Sequence, residues 1–102
     1  MIEWSHQASA DIRNLKNLIA KDSPYYARCF TERIVAAVEK LAEFPEIGRP
    51  VPEAGYRKDV RELIYQGYRI IYPTRPERVF IVAIIHGSRS LMAGEIKPWD
   101  AV

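Results

Sequence analysis

The sequence predicts one α/β domain of the α+β type, in which two layers are formed by an N-terminal strand, an antiparallel helical hairpin and a three-stranded antiparallel meander. Apolar residues recur every three or four positions from about residue 7 to residue 43, which is typical of one-faced helices. β-branched and aromatic residues dominate residues 60–85, as in strands. At 102 residues, the chain fills one domain, 1–102, and is too short for two.

The first half of the chain predicts one strand and two helices. Residues 2–5 alternate apolar and polar side chains, and residues 7–21 carry a helical apolar stripe. Ser23 is a favoured N-cap and Pro24 a favoured first helical residue, so a second helix is expected over residues 24–43. Because the connection is so short, the two helices should run antiparallel.

The second half predicts strands. Residues 45–59 contain three prolines and two glycines and are interpreted as a surface loop. Val60–Tyr65 and residues 68–72 flank Gln66-Gly67, which indicates a β-hairpin. Residues 79–85 are uniformly apolar, so they should form one central strand covered on both faces. The remaining residues, which include Trp99, show no clear period.

The register of this hairpin sorts its side chains onto two faces. A turn at Gln66-Gly67 places Tyr65 opposite Tyr68. The face expected under the helices carries Leu63, Tyr65, Tyr68, Ile70 and Tyr72, with Arg61 at its edge. The opposite face carries Val60, Glu62, Ile64, Arg69 and Ile71. Arg69 would then stand in the middle of an open sheet face, either as a surface arginine paired with Glu62 or as an anchor for phosphate or carboxylate. Arg89 allows the same two interpretations.

Composition excludes several classes of function. A net charge of +2 with 48% hydrophobic residues indicates a folded protein and is unlike a dedicated nucleic-acid binder. The longest apolar run, 79–85, is far too short to cross a membrane. The first residues lack the pattern of a signal peptide, so we expect a cytoplasmic protein. One cysteine, Cys29, and two histidines, His6 and His86, argue against a disulfide, a metal site or a cofactor.

Three local signatures occur in a fixed order: LAEFPEIGRPVP at residues 41–52, VREL at 60–63 leading to YRIIY at 68–72, and HGSR at 86–89. Together they resemble the RelE/ParE superfamily of toxins from bacterial type II toxin–antitoxin modules, and the ParE-like branch in particular. The resemblance implies a toxin in a hetero-oligomer with a cognate antitoxin, whose flexible C-terminal segment wraps around it. Operator DNA would be contacted only through the antitoxin.

The resemblance allows two mechanisms. RelE-like members cleave messenger RNA in the ribosomal A site, with basic residues at the scissile phosphate and a side chain for acid/base chemistry. Arg69 and Arg89 match two of those basic positions. The lysine pair of RelE is replaced here by Val60 and Glu62, and no tyrosine follows Tyr72 to match the C-terminal tyrosine of RelE.

His86 could supply the missing acid/base group, or it could be a hydrogen-bonded structural histidine at a strand end. ParE-like toxins have no catalytic group, because they bind DNA gyrase and stall it on cleaved DNA. The sequence therefore favours a gyrase inhibitor over an enzyme. The alternatives are a metal-independent endoribonuclease using Arg69, Arg89 and His86, and a non-toxic member that binds antitoxin and represses its operon. The candidate functional surface consists of Arg61, Glu62, Arg69, His86 and Arg89.

Overall fold

Two helices pack on one face of a six-stranded sheet in this computed structural model, which describes residues 2–87 and 97–101. Helix α1 spans His6–Ala20 and helix α2 spans Pro24–Glu39. The predicted caps are confirmed at the second helix, where the Ser23 hydroxyl accepts the Tyr26 N–H at 3.1 Å. Helix α2 continues as a 3-10 turn, Lys40–Ala42, so the segment predicted as one helix changes its winding near its end. No helix in the described ranges is long and apolar enough to span a membrane.

The sheet contains a central hairpin with short strands on both sides. The strands are listed in chain order: β1 (Ile2–Trp4), β2 (Arg49–Pro50), β3 (Val60–Tyr65), β4 (Tyr68–Arg75), β5 (Arg78–Ile81) and β6 (Ala83–His86). Their spatial order is β1-β5-β4-β3-β2, with β6 beside β4. Strand β1 runs parallel to β5, and the other pairs are antiparallel. The predicted hairpin register is confirmed, with Tyr65 opposite Tyr68 and Ile64 opposite Arg69.

The expectation of one continuous strand over residues 79–85 is wrong. Val79 lies opposite Thr74, but Ala83 lies opposite Ile71. Between these two pairs, the segment that joins β5 to β6 therefore contains one residue more than the facing part of β4. The extra residue is a bulge at Val82, whose N–H donates to the Ile71 carbonyl at 2.9 Å. The expected burial on both faces of the sheet is confirmed for every residue of this run except Phe80, which is half-buried.

The sheet separates two apolar clusters. The cluster under the helices contains Ala8, Leu15, Phe30, Ile34, Val38, Leu41, Ile70, Tyr72, Val79, Ile81 and Ile84, with Leu63, Tyr65 and Tyr68 packed against it. The cluster on the opposite face contains Val51, Ala54, Val60, Ile71, Val82, Ala83, Ile85 and Trp99. That second face was expected to be open, and the expectation is wrong. Two 3-10 turns, Pro52–Ala54 and Pro98–Ala101, contribute apolar side chains that cover it.

Helix α1 is tied to the sheet by polar contacts at two points. The Ser5 hydroxyl, which caps the helix by accepting the Ala8 N–H, also donates to the Val82 carbonyl at 3.1 Å. One turn further along, the Asp11 carboxylate accepts the Ile84 N–H at 2.9 Å. These contacts fix the hairpin of helices over β5 and β6 and satisfy backbone groups that the sheet leaves unpaired.

Candidate functional site

Arg69 lies inside a cluster of alternating charges and is only 5% exposed. Its Nε donates to Glu62 Oε1 at 2.5 Å, and its two terminal nitrogens donate to the two carboxylate oxygens of Glu53 at 2.7 and 2.8 Å. The other oxygen of Glu62 accepts Arg49 Nε at 2.7 Å. We call these four residues, Arg49, Glu53, Glu62 and Arg69, the Arg69 cluster.

Three elements bring the cluster together. The β3–β4 register puts Glu62 and Arg69 on the same face of the hairpin, and β2 pairs Arg49 with Glu62. The 3-10 turn that covers this face places Glu53 above Arg69. Hydrogen bonding to Glu53 raises the pKa of the Arg69 guanidinium above its usual range, although burial alone would lower it. The arginine is therefore a permanent cation whose charge is balanced inside the protein.

The expectation that Arg69 stands on an open sheet face is consequently corrected. Its predicted pairing with Glu62 is confirmed, but the pair is buried and not on the surface. Glu53 could not be predicted as a partner of Arg69, because a carboxylate in an irregular segment has no register from which its partner could be inferred. The 45–59 segment was expected to be a surface loop, whereas its Val51 and Ala54 are buried against the sheet.

The turn formed by residues 44–48, which we call the 44–48 turn, is pinned to the sheet by a buried tyrosine. The Tyr72 hydroxyl donates to the Pro45 carbonyl at 2.8 Å and accepts the Gly48 N–H at 3.0 Å. Burial raises the pKa of the Tyr72 phenol, so it stays a donor at neutral pH. A side chain at Gly48 would place its Cβ 2.5 Å from the Tyr72 oxygen, so glycine is required here by close approach.

Arg61 stabilises the same turn from the sheet edge. Its Nη1 donates to the Gly48 carbonyl at 2.7 Å and more weakly to the Glu46 carbonyl at 3.4 Å. Its side chain emerges on the helix side of β3, whereas Glu62 emerges on the opposite side. The structure thus gives Arg61 and Glu62 contacts within the fold, on different faces.

His86, the last residue of β6, is exposed and lies on the helix side of the sheet. It pairs with Tyr68, and the two rings meet edge to face with centroids 5.4 Å apart. Tyr68 in turn contacts Phe30 of α2 at 5.7 Å. Arg69 is bonded to carboxylates on the other face, so the structure does not bring His86 and Arg69 together. Arg89 lies outside the described residues.

The described ranges contain no group of three or more histidine, cysteine, aspartate or glutamate side chains placed to hold a metal ion.

Phe44 and Ile47, on the 44–48 turn, were not among the candidate residues, yet each is 57% exposed. In the sequence, both lie within the first family signature, at residues 41–52, where no role at a surface was expected of them. Exposed apolar side chains on a fixed turn cannot be distinguished from core residues by sequence alone.

Comparison with known proteins identifies the fold and the family. The family model for the ParE toxin of type II toxin–antitoxin systems, parDE, matches residues 2–91. The protein Y4kP of Sinorhizobium fredii is 36% identical over 86 residues, which cover 83% of this chain and 85% of that protein. Toxin RelE2 of Caulobacter vibrioides is 33% identical over 89 residues, covering 86% and 96%.

Among solved structures, a chromosomal ParDE toxin–antitoxin system from P. aeruginosa has a chain with the same fold. The TM-score is 0.67 at 22% identity, over 83% of this chain and 92% of that chain. The resemblance to the RelE/ParE superfamily, which the three sequence signatures indicate, is confirmed. The predicted two-layer α+β architecture is confirmed as well. The chain therefore belongs to the family of ParE toxins of type II toxin–antitoxin systems, within the RelE/ParE superfamily.

Proposed function

We propose that this type II toxin inhibits growth by binding DNA gyrase, without a catalytic group of its own, and that a cognate antitoxin neutralises it. One observation supports this choice most strongly. The two described residues of the nuclease alternative, Arg69 and His86, project from opposite faces of the sheet. A nuclease needs its cation and its acid/base group at the same phosphate.

The electrostatics of Arg69 support the same conclusion. A phosphate approaching this guanidinium would meet the carboxylates of Glu53 and Glu62, which already bind it at 2.5–2.8 Å. Phosphate would have to displace two anions from a site that is almost closed to solvent. We therefore assign Arg69 a positioning role, in which it holds the 3-10 turn of residues 52–54 on the sheet.

The antitoxin would form a hetero-oligomer with this chain in the cytoplasm, and operator DNA would be bound through the antitoxin alone. A toxin that acts by occupying a partner requires a stable surface and no titrating group at a reaction centre. The doubly covered sheet, with apolar clusters on both faces, supplies a rigid body of that kind.

The test is to express the chain from a tightly controlled promoter and to follow DNA and protein synthesis by short isotope pulses. His86→Ala is compared with His6→Ala, since both histidines are exposed. We expect DNA synthesis to stop first, with filamentous cells and an SOS response, and both variants to remain toxic. In parallel, the purified chain should inhibit supercoiling by gyrase.

The second candidate is the ribosome-dependent endoribonuclease. It is favoured by the name of the RelE2 relative and by the exposure of His86. In that case protein synthesis would stop first, and His86→Ala would abolish toxicity while His6→Ala would not. If neither synthesis stops, but antitoxin still binds, the chain is a non-toxic repressor subunit.

A further inference from the structure

The exposed side of the second half of α1 carries charge of one sign. Residues 13–21 contain three cations, Arg13, Lys16 and Lys21, and no aspartate or glutamate. All three are exposed, as are Asn14 and Asn17 in the same stretch. None of the three cations forms an ion pair within residues 2–87 and 97–101. We call these five residues the basic face of α1.

The neighbouring helix does not repeat this pattern. The exposed charges of α2 and its C-cap are of both signs: Arg28, Glu32, Arg33, Glu39 and Lys40. On α1 itself, the Asp11 carboxylate is already engaged, because it accepts the Ile84 N–H and the side-chain amide of Gln7. Asp22 lies in the connection between the helices, beyond the basic face. The unbalanced positive charge of the helical layer is therefore concentrated on α1.

The apolar side of α1 is not available to a membrane. Leu15 is buried, and Ile12 and Ile19 pack against the cluster under the helices. A helix that binds a lipid surface inserts its apolar side, whereas α1 turns its polar side outward, with Leu18 as the exposed apolar residue of this stretch. The contact of Asp11 with the backbone of β6 holds the helix in this orientation. A fixed row of cations and amides suits a hydrophilic polyanion.

The phosphates of duplex DNA match the basic face in chemistry and in spacing. Arginine, lysine and asparagine side chains are usual donors to DNA phosphates. Arg13 and Lys21 are about 12 Å apart along the helix axis, a length over which one DNA strand presents roughly three to four phosphates. So few contacts bind weakly on their own, in keeping with a net charge of +2, but they strengthen a complex that other contacts hold together.

We propose that the basic face of α1 binds phosphates of the DNA that gyrase holds, so that the toxin contacts both the enzyme and its DNA. The side chains of Arg13, Lys16 and Lys21 each neutralise one phosphate, and the amides of Asn14 and Asn17 donate to phosphate oxygens. This assignment rests on the proposed inhibition of gyrase. Because phosphate contacts carry no sequence information, the site accepts any duplex that gyrase accepts.

The probe is gyrase, presented to the full-length chain either alone or cross-linked to a linear DNA duplex, and Kd is measured at low and high salt. The test variant combines Arg13→Gln, Lys16→Gln and Lys21→Gln. The control combines Arg28→Gln, Arg33→Gln and Lys40→Gln, which removes the same charge from exposed positions of α2 and its C-cap. Glutamine has a helix propensity close to that of lysine and arginine, so both variants should fold.

The expected result follows from the number of contacts. Three phosphate contacts give a slope of about −2.7 in log affinity against log salt. Between about 50 mM and about 200 mM salt, the wild type should lose roughly 40-fold more affinity for the gyrase–DNA complex than the test variant loses. The test variant should bind gyrase alone as tightly as the wild type does. The control should keep the wild-type salt dependence.

Four results would overturn the assignment. The first two are a test variant that keeps the wild-type salt dependence on gyrase–DNA, and a control that loses as much of it. The third is an equal loss of affinity for gyrase with and without DNA, which would assign the basic face to an acidic protein surface. In the fourth, the test variant weakens only the binding of operator DNA by the toxin–antitoxin complex, which would make the operator the source of the phosphates.

Failure of the proposed target gives a different result. In that case the wild type does not bind gyrase in either form. The phosphate site then stands if weak binding to the bare duplex is lost in the test variant and kept in the control, and it fails if the two variants bind the duplex equally.

Discussion

Replacing Arg69 by alanine should lower the free energy of unfolding substantially, because it removes the central cation of the Arg69 cluster. The change deletes the hydrogen bonds that the guanidinium donates to the carboxylates of Glu53 and Glu62. Among the described residues, Glu62, whose side chain is fully buried, would keep Arg49 as its one ion-pair partner, and the Arg49 side chain is 63% exposed. A buried carboxylate with so little compensation is costly.

The expected size follows from these partners. Breaking a buried pair by removing one member costs about 3–5 kcal/mol, and the remaining bond from Arg49 places this case near about 3 kcal/mol. For a domain of this length, each kcal/mol corresponds to roughly 4–8 °C. Arg69→Ala should therefore lower the melting temperature by more than about 10 °C. Circular dichroism on heating and urea unfolding give the two measurements.

Arg49→Ala is the matched control, since it removes a partner of the same carboxylate from the solvent side. It should cost about 1 kcal/mol or less, as exposed ion pairs do. Arg69→Met combined with Glu62→Leu should recover much of the loss, because no unpaired buried charge remains on β3 or β4. The burial argument is refuted if Arg69→Ala costs no more than Arg49→Ala. If it holds, the lost stability of Arg69→Ala accounts for a loss of toxicity without any contact between Arg69 and phosphate.

Three further changes test the 44–48 turn and the loop beside it. Tyr72→Phe removes the acceptor of the buried Gly48 N–H and should lower the free energy of unfolding by about 2 kcal/mol. The control Tyr56→Phe, on an exposed ring, should not move the midpoint of urea unfolding. Equal midpoints for the two variants would contradict this prediction. Gly48→Ala should cost about 1–3 kcal/mol through overpacking, and a wild-type melting temperature would show that the turn can yield. Hydrogen bonding from Arg57 holds the pKa of Asp59 well below its usual range, so its stabilisation is present above about pH 4 and is lost on further acidification. Stability between about pH 5 and pH 3 should fall more steeply in the wild type than in Asp59→Asn, and parallel curves would contradict the assignment.

The sequence contained enough information for the hairpin and its register. Gln66 and Gly67 both have positive φ, 45° and 85°, as a two-residue turn between twisted strands requires. That turn fixes every pairing from Tyr65 and Tyr68 outward. The helices were predicted for a similar reason, because their apolar stripes and the cap at Ser23 are local signals.

The bulge and the second cluster could not be predicted because their signals are not local. A run of apolar residues from 79 to 85 shows no alternation, so an extra residue at Val82 leaves no mark in the pattern. Coverage of the second face depends on Val51, Ala54 and Trp99, which are far apart in sequence. The face of the sheet on which Arg69 lies was therefore predicted correctly, while its surroundings were not.

The parallel pairing of β1 with β5 has a consequence for how the molecule is made. Ile2–Trp4 pairs with Val79–Ile81, so β1 is synthesised more than 70 residues before the strand beside it. The helices form early from local contacts, but the sheet that covers their apolar stripe comes later in the chain. Until it arrives, that stripe faces water, and the nascent chain is then at its most prone to aggregate. The time spent in this state, set by the speed of translation, should help to decide how much folded protein a cell obtains from each message.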